Sequence, residues 1–303
     1  MPKLHRKRSL LAKIESSYAS DPTATGSANY VEVVDLEIEP VASDEVEQET
    51  IRPYAGNYPV LLANTRVNVS FGVYMVGSGA AGTAPKYDPI LKACGLSANT
   101  VSSTSVTYTP STLASQDSVT LYVNYDGVRH KVTGARGTFS ISCAVNEIPR
   151  INFEMQGIFN TPTDTALPTV TKSLQPDPVL FKNGNTSSFS VFGFAAALQS
   201  WELDFANEVI YRELVGGTKE ALITDRRPSG TMVVEAVALS DKNFFTTATG
   251  TSTGTNTWVH SGGAGNIVTV SCPQTDLGQP TYEETDGITT VSYTHLTLPT
   301  TKQ

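Results

Sequence analysis

Between Thr138 and Gln156 the chain alternates apolar and polar side chains with a period of two. Phe139, Ile141, Cys143 and Val145 interleave with Thr138, Ser140, Ser142 and Ala144. After Asn146-Glu147-Ile148-Pro149, Ile151, Phe153 and Met155 interleave with Asn152, Glu154 and Gln156. Successive side chains of a strand point to opposite faces, so this pattern makes a long hairpin with one apolar and one weakly acidic polar face. A helix would scatter the same residues around its axis. The alternation returns at Tyr30 to Glu39 (Val34, Leu36, Ile38 against Asp35, Glu37, Glu39), Arg66 to Val76, Trp201 to Ala206, Val209 to Leu214 and Thr231 to Ala238. Val119 to Tyr125 and Val128 to Val132 flank Asp126-Gly127, a two-residue hairpin signal, and Gly265 to Cys272 reads as a further strand. The reading is all-β with a few short helices: Ser9 to Ser17, with Leu10, Leu11 and Ile14 on one face, and Asp88 to Cys94, closed by Gly95.

Composition agrees with strands and turns: Val, Thr and Ser are abundant beside 23 glycines, and only 17% of residues are charged. The net charge of −8 argues against gripping phosphates, which requires clustered Lys and Arg, but does not exclude a protein that lets DNA slide past without sticking. The basic groups Lys3 to Arg8 and Arg226-Arg227 are too small for a duplex footprint. No apolar run reaches the length of a membrane span, and Leu10-Leu11-Ala12 is too short for a signal-peptide core. Cys94, Cys143 and Cys272 stand far apart and read as reduced core thiols.

No catalytic, cofactor-binding or metal-binding residues are assigned. Gly77-Ser78-Gly79-Ala80-Ala81-Gly82 matches G-x-G-x-x-G, but Thr83-Ala84-Pro85 stops a helix from starting in the glycines, as a dinucleotide site needs. His5, His130 and His260 lack metal-ligand spacing. The carboxylates Glu202 with Asp204, and Glu283, Glu284 and Asp286, read as solvated strand faces and a turn.

The halves echo one another. Setting Leu36 on Trp201, an ungapped offset of 201 − 36 = 165, also puts Asn64 to Val69 on Ser229 to Val234. The expected organisation is an N-terminal helix and linker over 1–27, a first β-domain over 28–160, a Pro-rich linker over 161–185 and a second β-domain over 186–290. Residues 291–303 are set apart. Val291-Ser292-Tyr293-Thr294-His295-Leu296-Thr297-Leu298-Pro299-Thr300 resembles, at every position, a translated sequencing adapter of the mosaic-end type. On that resemblance Val291 to Gln303 are non-native, the second domain is truncated and the native chain is expected to continue past Thr290.

Several segments, in order and spacing, resemble the tail tube proteins of phages with long, non-contractile tails. They are Leu10-Leu11-Ala12-Lys13-Ile14-Glu15 with Tyr18 and Asp21-Pro22-Thr23; Ile51-Arg52-Pro53-Tyr54; Gly77-Ser78-Gly79 through Ala93-Cys94-Gly95; and Asp126 to Lys131 with Gly134 to Gly137. Ile148-Pro149-Arg150, Asn207 to Arg212 and Ile223 to Gly230 complete the set. The resemblance implies a tail-tube-like β-sandwich or barrel, here duplicated in tandem. It implies a structural virion protein of the tail, assembled in the host bacterial cytoplasm, with no enzymatic activity and no cofactor. It further implies self-association into rings, as a pseudo-sixfold trimer or a hexamer, that stack into a tube. The tape measure protein and the tail terminator are its partners on that reading, and phage DNA crosses the lumen without specific binding or any membrane. Two alternatives stand beside it. One is a β-sandwich virion binding module, a capsid decoration or receptor-binding protein, which needs clustered exposed aromatics and has only Trp258 to offer. The other is a β-rich hydrolase of the lytic set, which needs a convergent catalytic constellation.

Overall fold

A computed structural model of the protein describes residues 3–250 and 252–297. The first part of the chain runs β1 (Arg8–Ile14), α1 (Gly26–Asn29), β2 (Tyr30–Val31), β3 (Val34–Glu47), β4 (Val60–Tyr74) and α2 (Asp88–Ala93). It continues through β5 (Leu96–Val101), β6 (Ser105–Pro110), β7 (Val119–Tyr125), β8 (Val128–Ala144), β9 (Arg150–Phe159) and β10 (Thr163–Asp164). The second part comprises β11 (Thr186–Val191), β12 (Leu198–Asp204), β13 (Asn207–Glu213), β14 (Lys219–Arg226), β15 (Ser229–Glu235), α3 (Phe244–Ala248), β16 (Gly254–Ser261), β17 (Ile267–Thr285) and β18 (Ile288–Thr297). The protein is therefore nearly all β, as the alternation required.

The turn chemistry explains several boundaries. Gly95, at φ +79°, ends the turn after α2 in a conformation that side-chain-bearing residues resist. Asp286 and Gly287 both take positive φ, as the two-residue turn joining β17 to β18 demands.

The proposed helix at Ser9 to Ser17 is instead β1. It pairs antiparallel with β7, from Arg8↔Tyr125 to Ile14↔Val119, while Leu10 and Leu11 also face β2. Leu10 and Leu11 are both fully buried although they point to opposite faces. A short apolar run buried on both sides has no periodicity that separates strand from helix, so burial between two partners decided it.

Fourteen strands form one sheet, with β13–β14 and β5–β6 as separate two-stranded ribbons. Every pairing between these strands is antiparallel. Two paths of partners run through the large sheet. One is β1-β7-β8-β9-β4-β3 and the other is β11-β16-β17-β18-β15-β12. Ranked by chain order within its own half, each reads first-fourth-fifth-sixth-third-second. A short helix lies between the third and fourth strands both times, α2 in one half and α3 in the other. Among the described residues only β8 and β12 join the paths, through Ser200↔Ala144 to Asp204↔Ser140.

The strand pairs of the two halves match at a displacement other than 165. Ile38 faces Val69, and Trp201 faces Met232, so both members of the pair are displaced by 201 − 38 = 232 − 69 = 163. An offset of 165 would carry the Trp201–Met232 pair onto Leu36 and Val67, which are not partners, because Glu37 already faces Ser70. Two residues leave the inward and outward faces unchanged, and for that reason alternation alone did not distinguish the offsets.

The main hydrophobic core takes residues from both halves, among them Phe71, Phe139, Phe153, Trp201, Met232 and Trp258, while Leu11, Ala24 and Tyr122 form a small separate cluster. Residues 288–297, most of them in the adapter-like string, run between β15 and β17. Thr290, Val291, Ser292 and Tyr293 are all buried there and Thr294 is exposed, so the start of the string is enclosed between its two partner strands. Residues 298–303 lie outside the described part of the chain.

Candidate assembly surface

The polar side of the long hairpin sits on the solvent face of the sheet. Phe153 is 1% exposed, whereas its neighbours Asn152 and Glu154 are exposed. Residues opposite one another in a ladder share a face, so the pairings define rows across the strands. One row reads Glu37–Ser70–Glu154–Thr138 through β3, β4, β9 and β8. Another reads Tyr74–Arg150–Ser142–Glu202–Thr231–Thr294 and crosses the β8–β12 junction into the second half. A third, Gly72–Asn152–Ser140–Asp204–Ser229, crosses it as well. Glu202 and Asp204, a carboxylate pair in sequence, are thus two members of an extended acidic and hydroxylic face. The guanidinium of Arg150 is engaged at 3.0 Å by Asp35.

A second surface is an arm. Past Ala42 and Arg66, β3 and β4 continue as a ribbon from Asp44↔Ala63 to Glu47↔Val60, and residues 48–59 close it. Val46, Leu61 and Leu62 are all more than half exposed there, and Ile51 is fully exposed. An isolated two-stranded ribbon is marginally stable in water, and clustered exposed apolar side chains mark a contact surface.

Buried polar residues lock the segments that frame these surfaces. The carboxylate of Glu15, at the end of β1, accepts hydrogen bonds from the Ser118 and Thr120 hydroxyls at 2.5 and 2.6 Å, and from the Ala19 and Gly134 N–H groups at 2.7 and 2.8 Å. Arg136 donates to the carbonyls of Asp117, Gln116 and Ala221, with its guanidinium 4.6 Å from the Tyr18 ring centroid. Burial pushes the Tyr18 hydroxyl up to about 12. Arg226 donates to Asn207 Oδ1 and to the Ser111 and Gly95 carbonyls, and lies over the Phe205 ring. In sequence it reads as half of a basic dipeptide; in the fold it clamps the β13–β14 ribbon. Neither arginine carries a local signal, because the partners are carbonyls from remote segments.

The other residues singled out in sequence are dispersed. The Gly77–Gly82 loop is held by the Asn266 side chain and the Gly265 carbonyl, and the first helix after it begins only at Asp88. His260 is buried, 3.0 Å from the Thr186 hydroxyl, and His130 stands edge-on to Tyr125. Burial lowers the pKa of both histidines. Trp258 is fully buried in β16 against Trp201 and Phe181, which removes it as an exposed binding aromatic. The three cysteines are free and buried, and burial raises all three thiol pKa values. Glu283 and Glu284 lie in β17 just before its last residue, Thr285, and Asp286 follows in the turn. Among the described residues no three His, Cys, Asp or Glu side chains gather as a metal site would need, and no helix is long and apolar enough to cross a membrane.

No curated protein matches the sequence significantly. A family profile described as phage tail tube protein matches residues 6–299, nearly the whole chain and both halves of the sheet. A β-sheet protein whose conspicuous surfaces are a long polar face and an apolar arm is suited to building a wall, and the chain belongs to the phage tail tube protein family: it is a structural subunit of the virion tail, assembled in the host, that associates with itself into a tube.

Proposed function

We propose that the subunit forms stacked rings with the polar face of its large sheet turned to a DNA-conducting lumen. The observation that carries this reading is the pair of polar rows that cross from β9 and β8 of the first half into β12 and β15 of the second. Glu37, Glu154, Glu202 and Asp204 give that face a negative charge. A wall of like charge to phosphate forms no counterion-releasing contacts, so DNA passes without adhering. The apolar arm supplies contacts between subunits.

We infer further that the chain is a tandem repeat, one copy running from β1 to β9 and the other from β11 to β18, so that β1 joins the first copy and not an N-terminal linker, with three chains giving six copies around a ring. The support is the identical order of partners along the two paths, six strands each, with a helix at the same place. Negative-stain microscopy of the purified full chain tests the reading. Rings or tubes with an open centre and threefold class averages are expected. Dispersed monomers at concentrations where the arm should associate would sink it.

A further inference from the structure

Among the edges of the large sheet that have no partner among the described residues are those of β3 and of the end of β17, and the chain itself contains the template for joining these two. β8 carries β9 on one edge and both β7 and β12, end to end, on the other: Val132 faces Leu121 and Phe159, and Ser140 faces Asp204 and Asn152. β17 is built alike. It carries β18 on one edge and β16 on the other, the two meeting at Thr275, which faces both Gly254 and Thr297. Beyond Thr275 the β16 side of β17 is open, at the place where β8 receives β12. β3, the counterpart of β12, pairs only with β4.

A second observation bears on the same edge. Phe71–Phe153–Phe139 forms one core row of the first half, and Val234–Val291–Tyr282 stands in the corresponding place in the second. Phe139 is 5% exposed because Phe205, following β12, stacks on it at 4.6 Å. Tyr282 is 66% exposed, with the Phe245 ring alongside at 5.6 Å. An aromatic ring at the end of a core row, on an unpaired edge, lacks the cover its counterpart has.

The geometry points to a head-to-tail joint in which β3 of a second copy docks on the open edge of β17, as β12 docks on β8. This rests on the ring-forming function proposed above. The register follows from the internal junction. Ser140 faces Asp204; Ser140 follows Phe139 as Glu283 follows Tyr282, and 204 − 163 = 41, so Glu283 should face Val41 of the next chain. Glu284 then faces Pro40 and Thr285 faces Glu39, and no carboxylate opposes another, an arrangement that would destabilise the ladder. Pro40 lies in the register shift between Glu39 and Ala42, and a bulge is one of the places where a sheet tolerates proline. The interface is heterologous, and such contacts close into a ring when the rotation permits.

The test is oxidative cross-linking of the full chain carrying Val41→Cys and Glu283→Cys, both at exposed positions, while the native thiols are buried. Covalent dimers and trimers, with trimer as the largest product, are expected, and Val215→Cys with Glu283→Cys should stay monomeric. As a second variant, Tyr282→Arg should keep the circular dichroism spectrum of the parent and lose assembly. Rings that form without the Val41–Glu283 cross-link, or that tolerate Tyr282→Arg, overturn the joint but leave the tube function standing. A parent chain that forms neither rings nor cross-links overturns both.

Discussion

The two halves of the sheet follow one path of strand pairing with different side chains in it. In the first half three phenylalanines fill a core row that Phe205 covers, and Glu15 ties the outermost long strand, β1, to β7 and β8. In the second half the corresponding row is Val234, Val291 and the exposed Tyr282, and the outer strand β11 is tied by the Thr186–His260 contact. Phe139 is covered by Phe205 of the same chain; among the described residues Tyr282 has no such cover. Pairing order thus survives large changes in filling, because backbone hydrogen bonds and the two-residue period are indifferent to which apolar side chain points inward.

The sharpest test of that contrast is truncation in the matched rows. Phe153→Ala should cost about 3–5 kcal/mol in chemical denaturation. Val291→Ala should cost about 1.5–3 kcal/mol, the value of burying one valine, and Tyr282→Ala much less than either. A loss at Tyr282 equal to that at Phe153 would mean that Tyr282 is already covered within the monomer, and the contrast would collapse.

Next in size is Glu15→Ala, which strands the Ser118 and Thr120 hydroxyls together with two backbone N–H groups. A destabilisation of about 1–3 kcal/mol is expected, the cost of an unpaired buried group, with hydrogen exchange rising first in β1. Unchanged protection of β1 would show that the apolar contacts of Leu10 and Leu11 hold the strand unaided.

The anchor of the second half should be sensitive to acid. Burial lowers the His260 pKa below its ordinary 6.5, so the unfolded chain binds a proton more readily than the folded one. The contribution of the neutral ring is complete above pH 6.5 and is lost as pH falls from there through the depressed folded value. Thermal melts of His260→Leu should therefore lose part of the acid dependence that the parent has between pH 7 and 5. His130, half-buried in the first half, contributes in the same direction and should keep the remainder.

Smallest is Glu154→Gln on the polar face, expected to change stability by no more than about 0.5 kcal/mol while weakening the repulsion of DNA from assembled tubes. Increased retention of DNA by tubes of the variant is the readout; no change would place Glu154 away from the lumen.

Alternation alone determined the strands at 139–156 and 201–205, their inward and outward faces, and the Asp126-Gly127 turn, since these depend on neighbours a few residues away. The absence of clustered Lys and Arg likewise set the charge of the candidate wall. Tertiary structure decided the rest. β1 is a strand only because β7 and β2 lie on either side of it, and β5, β6, β14 and β16 carried no clear period. Alternation fixes a face without naming a partner, so neither the offset of 163 nor the open edges of β3 and β17 could be read from it. Glu15, Arg136 and Arg226 bind groups that come from remote segments, and those partners exist only once long-range pairing has brought the segments together.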